Sequence, residues 1–141
     1  MIYFTMIDEE VQRLLDYHCR LYWLVDGWSM RFRVVEVEES STRPHGLKYS
    51  FTLHDVDGSR LLGFDNAHGL ARTQVYDHQH RFRRTAEVIP YKYENADRLI
   101  CDFFDAVERA CKQEGLAFEF DTEEVELETD MENDDDAKIT E

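Results

Sequence analysis

The segment 95–115, "NADRLICDFFDAVERACKQEG", limits the choice of fold more than any other part of the chain. Leu99, Ile100, Phe103, Phe104, Val107, Ala110 and Cys111 recur at helical spacing and form one broad apolar stripe. Asn95 is a natural N-cap and Gly115 a ready residue just past the C-terminus. A helix with one wide greasy side needs a second layer to cover it. The chain before it supplies that layer as strands.

Around Asp26-Gly27, "RLYWLVDGWSMRFRVVEVEE" places β-formers on both sides of a turn, and Asp-Gly suits a type I′ hairpin. Arg31 and Arg33 alternate with Phe32 and Val34, so one face of that strand carries both arginines. The same grammar recurs in "LKYSFTLHDVDGSRLLGFD", where Tyr49, Phe51 and Leu53 alternate with polar residues and "DVDGS" turns the chain. Gly63 inside the return strand marks a bulge or a close approach. Residues 8–17 read as a short helix capped by Asp8, with Val11, Leu14 and Leu15 on one face. A fifth strand is expected near 76–81, residues 87–94 read as extended around Pro90, and "LAFEF" (116–120) reads as a short edge strand. The expected fold is α+β. A twisted antiparallel sheet of about five strands is built from hairpins, with the long C-terminal helix and the short N-terminal helix packed on it.

Charge divides the chain in two. Residues 1–120 carry 15 Lys/Arg and 20 Asp/Glu, net −5, whereas 121–141 carry one lysine and 11 acidic residues, net −10. The first part is a single globular domain. The second has too few apolar residues to offset its ordering entropy and reads as a disordered acidic tail. The mild charge of the body leaves room for a local phosphate-binding patch. Cys19, Cys101 and Cys111 show no framework spacing and read as reduced, mostly buried thiols. No signal peptide and no long apolar run appear, so the expected compartment is the cytoplasm, with no membrane contact.

The chemistry concentrates in "FDNAHGLARTQVYDHQHR", residues 64–81, which holds three of the six histidines. On an extended backbone His78 and His80 point to one side, roughly 7 Å apart by strand rise. Two chemistries fit. One imidazole can act as base and the other as acid, with His68 assisting and Asp65 or Asp77 orienting a ring. Alternatively His78 and His80 hold one divalent metal ion with Asp65 or Asp77. Arg81, Arg83 and Arg72 supply guanidinium groups for phosphate, and Asn66 is a further polar contact to substrate. Asp65-Asn66 also has a plain structural use, since such side chains bond nearby backbone and hold turns. No phosphate loop, dinucleotide fingerprint, Gly-x-Ser-x-Gly elbow or His-Glu-x-x-His helix is present.

"YSFTLHDVDGSRLLGFDNAH", then "YDHQHR", then "PYKYENADRLICDFFDAVERA" resembles the TumE family of toxin–antitoxin proteins over about residues 20–112. The carry-over falls on Asp65, Asn66 and Ala67 and on the His78/His80 pair; Gln79 stands where many relatives have a lysine. The resemblance implies a toxin whose partner is a small DNA-binding antitoxin and whose target is RNA; a homodimer is compatible with it. The expectation is therefore an endoribonuclease working by histidine acid–base catalysis without a cofactor. The alternatives are a metal-dependent nuclease on the same residues, and a non-enzymatic acidic module that binds a basic partner or mimics nucleic acid. The tail is further expected to screen a basic face of the body.

Overall fold

A computed structural model describes residues 8–41, 43–66, 77–121 and 126–128. The order of elements is α1 (Glu9–Leu15), β1 (Arg20–Trp23), β2 (Ser29–Glu36), β3 (Leu47–His54), β4 (Arg60–Asp65), β5 (His78–Arg81), β6 (Arg84–Pro90), α2 (Ala96–Gln113) and β7 (Glu126–Leu127). The strands form one sheet in the order β6-β5-β4-β3-β2-β1-β7, with every described neighbour antiparallel. The α+β expectation holds, with seven strands in place of about five. Residues 84–90 form β6 at the sheet edge, where Pro90 costs no ladder bond inside the sheet. The seventh strand lies within the acidic segment read as disordered: Glu126–Leu127 pair with Arg20 and Leu21. "LAFEF" contributes one isolated bridge, Leu24 to Phe120, and no strand.

Both hairpin turns use glycine, though not in a type I′ turn. Gly27 and Gly58 have φ of 95° and 90°, while Asp26 and Asp57 stay at negative φ. Gly27 N–H donates to the Leu24 carbonyl and Leu24 N–H to the Trp28 carbonyl; Gly58 and Asp55 repeat this with Asp55 and Ser59. That pattern is a type I turn followed by a glycine bulge.

Strand alternation then sorts the sheet into two faces. Phe32, Phe51 and Phe64 lie in cross-strand register and are buried under Phe103 of α2, at ring-centroid distances of 5.4, 5.8 and 6.0 Å. Helix α2 is capped by the Asn95 side chain, which accepts from Arg98 N–H. It ends as the glycine predicts: Gly115 has φ 74°, its N–H donates to the Lys112 carbonyl, and Leu116 N–H donates to the Cys111 carbonyl. Helix α1 is capped by Asp8 and clamped to α2 by Arg13–Asp97 at 2.9 Å. Of the three thiols only Cys111 is buried; Cys101 is exposed on α2.

The residues between those phenylalanines point the other way. Two rows cross the face opposite the helices: Arg31–Thr52–Gly63–His80 and Arg33–Ser50–Asp65–His78. Near the turn, β4 has a bulge, with Leu53 opposite Leu62 and His54 opposite Arg60. Leu61 and Leu62 both join the core, and Arg60 is thereby turned onto the face that carries the two histidines.

Candidate functional site

Asp65 ends β4 directly opposite His78, the first residue of β5, and His80 sits opposite Gly63. The aspartate is buried at 5% exposure and His78 at 3%, while the His80 side chain keeps 13%. His78 Nε2 lies 2.8 Å from Asp65 Oδ1, and His80 Nε2 lies 3.1 Å from Oδ2. One carboxylate thus receives both imidazoles, whose rings meet edge to face at 5.2 Å. The Oδ1 contact is short but poorly aligned, so this shielded oxygen accepts no proper hydrogen bond.

Gly63 explains how the rings fit. A Cβ there would meet the Phe51 carbonyl oxygen and Thr52 Cγ2, each at 3.3 Å, so a side chain in this position would crowd the strip of sheet beside His80. The aliphatic stem of Arg60 passes over the same spot, its Cδ 3.8 Å from where that Cβ would stand. Arg60 is exposed and makes no ion pair with the described residues.

His80 is held from its other side. Its Nδ1 is 2.9 Å from the Thr85 carbonyl oxygen, which can only accept, so Nδ1 carries a proton. Burial pushes the Asp65 carboxyl up, but the bonds and charges of His78 and His80 outweigh it and hold the group well below the usual carboxylate range. Asp65 is therefore ionised and can only accept as well. His80 Nε2 faces this acceptor and needs a proton or another cation between the two atoms. The arrangement can orient a ring for proton transfer or hold a metal ion. Asp65, His78 and His80 bring three potential ligand atoms within 4.8 Å of one another.

The other sequence candidates divide. Asp77 stands apart from this cluster, because alternation sends it to the opposite face from His78. There it accepts from the Tyr49 hydroxyl at 2.8 Å and pairs with His45 at 3.3 Å. Burial first, then Asp77, pushes the Tyr49 hydroxyl far above the ordinary phenol range. Asp77 does face an imidazole, but it is His45, stacked on Tyr93 at 3.8 Å. Asn66 is 1% exposed, and its amide is occupied with β3: Oδ1 accepts from Tyr49 N–H and Nδ2 donates to the Leu47 carbonyl. It extends the ladder as a backbone mimic, a structural use of the side chain.

Arg83 is drawn away by a two-pronged pair with Glu114 at 3.0 and 3.1 Å. Arg81 follows the irregularity after His80 and pairs with Glu87 at 3.6 Å. His68 and Arg72 lie outside the described residues. Arg60 was missed by sequence reasoning, since its direction depends on the bulge beside it; Gly63 was the only hint.

A family described as Toxin TumE matches the chain over residues 8–110. Comparisons with curated proteins and with solved structures gave no match.

Proposed function

The chain belongs to the TumE toxin family, the toxin half of a toxin–antitoxin module, and we propose that it acts by cleaving RNA at the Asp65–His78–His80 cluster. An antitoxin protein is the partner that this role implies, and no helix among the described residues is long and apolar enough to cross a membrane. The observation that carries the reading is the buried carboxylate shared by two imidazoles, one of them at the rim. Groups with such perturbed titration concentrate at reactive sites.

Cleavage of RNA through its own 2′-hydroxyl needs a base for that hydroxyl, an acid for the departing 5′-oxygen, and a cation for the charge that builds on phosphorus. His80 is the imidazole that reaches substrate. Asp65 holds its ring in place from one side and the Thr85 carbonyl from the other. His78 completes the acid–base pair once substrate opens the site, and Arg60 supplies the cation beside Gly63. A metal-dependent version on the same three residues is favoured by two details. Asp65 Oδ1 accepts no aligned bond, and the Nδ1–H of His80 is held by a backbone carbonyl, as in metal-bound histidines.

Purified protein assayed on single-stranded RNA in excess chelator separates the two. Cleavage that persists in chelator and disappears in His80→Ala supports acid–base catalysis. Cleavage lost in chelator and restored by a divalent ion, with stoichiometric metal found in the protein, supports the metal site. Absence of cleavage under both conditions refutes the proposal.

A further inference from the structure

Two arginines share the face of the histidine cluster and take no part in it. Arg33 stands two strands from Asp65 in the same cross-strand row, about 10 Å away by strand spacing. Arg31 occupies the matching place in the row of Gly63 and His80. Among the described residues of the acidic segment, Glu128 places its carboxylate between them. Glu128 Oε1 is 3.4 Å from Arg33 Nη1, and Oε2 is 3.7 Å from Arg31 Nη1.

The carboxylate is delivered by main-chain pairing. Leu127 and Glu126 pair with Arg20 and Leu21, and Glu128 N–H donates to the Cys19 carbonyl at 2.8 Å. From that anchor the Glu128 side chain crosses over β1 to reach β2. Its distances to the guanidinium groups exceed hydrogen-bond length, and Arg31 Nε is shielded with no hydrogen-bond acceptor. Two guanidinium groups converging on a loosely held anion make a site that the tetrahedral oxygens of a phosphodiester can also fill.

We propose that Arg31 and Arg33 form a subsite for a backbone phosphate of single-stranded RNA, and that Glu128 occupies it in place of the phosphate until RNA displaces it. The inference rests on the RNA-cleavage reading of the neighbouring cluster, which supplies the reason for RNA to lie along this face. Beyond that reading, it assigns two further substrate contacts and gives one residue of the acidic segment a masking role. Arg31 and Arg33 would grip the strand away from the scissile bond.

The test measures binding without cleavage. A fluorescent oligoribonucleotide with 2′-O-methyl groups throughout lacks the attacking hydroxyl, so its anisotropy reports affinity alone. With the full chain at low salt, Glu128→Gln should tighten binding about 5-fold or more. Arg31→Gln and Arg33→Gln should each weaken it, with the salt slope reduced by about one per arginine. In the Arg31→Gln/Arg33→Gln background the gain from Glu128→Gln should vanish, because the two effects share one contact. Equal binding by wild type and Glu128→Gln overturns the proposal. An undiminished gain in the arginine-less background also overturns it, since only long-range charge would then be at work. Tight binding by Glu128→Gln with no cleavage of natural RNA leaves the subsite standing and removes the catalytic reading. The converse result removes the subsite alone.

Discussion

Asp65 and His78 are direct cross-strand partners, and the carboxylate Oδ1 of one lies 2.8 Å from Nε2 of the other in the interior of the protein. The pairing ties the end of β4 to the start of β5, so the residues that make the cluster also set the register of the sheet around it. Mutating them tests structure and chemistry together, and the two need separate readouts.

Asp65→Asn removes the carboxylate that both imidazoles face. Because those imidazoles hold the ionised form of Asp65 in the folded state, the substitution should cost about 3 kcal/mol at neutral pH, the usual cost of breaking a buried charge pair. Urea unfolding of the two proteins checks this. If the curves coincide, the carboxylate is not engaged as described.

Asn66→Ala separates scaffold from chemistry. It leaves Tyr49 N–H and the Leu47 carbonyl without their buried partner, for an expected cost of about 2–4 kcal/mol. Cleavage per folded molecule should stay within about threefold of wild type. A large loss of rate with unchanged stability would return Asn66 to the substrate.

His54 gives a pH dependence of stability. Its Nδ1 lies 2.9 Å from the Gly58 carbonyl oxygen and its Nε2 2.8 Å from the Thr52 hydroxyl, which can donate to a neutral ring. Burial lowers its pKa from 6.5, with Arg31 and Arg60 adding to the effect. A histidine lowered in the folded state takes up its proton more readily when unfolded, so its share of stability is present above pH 6.5 and is lost as pH falls below it. Wild type should therefore lose stability between pH 7 and 5 faster than His54→Gln. Parallel profiles for the two proteins would show that His54 is not the group responsible.

How much of this was legible from the chain depends on the range of the interaction. Helix α2, its caps and the two glycine turns are local, and the sequence states them. That His78 and His80 share a side follows from the two-residue period of a strand, and the same period also puts Asp77 on the other side. Asp65 is different: its contact with His78 depends on the register of β4 against β5, set through residues that are distant in sequence. Arg60 reaches the face only because a bulge reverses its direction, and hydrophobic periodicity does not report bulges. The last strand was hidden by composition. Glu126 and Leu127 sit in an acidic run whose overall character argues for disorder, yet two residues suffice to pair with an open edge.

The central claim is that His80 acts on RNA while Asp65 holds it. The most direct measurement is the rate at which purified wild type, His80→Ala and His80→Gln cleave a defined single-stranded RNA, each protein shown to be folded by its thermal melt. The expected result is cleavage by wild type and a loss of at least about 100-fold in both variants, the scale of a missing general acid or base. Equal cleavage by all three folded proteins, or none by wild type, would contradict the account.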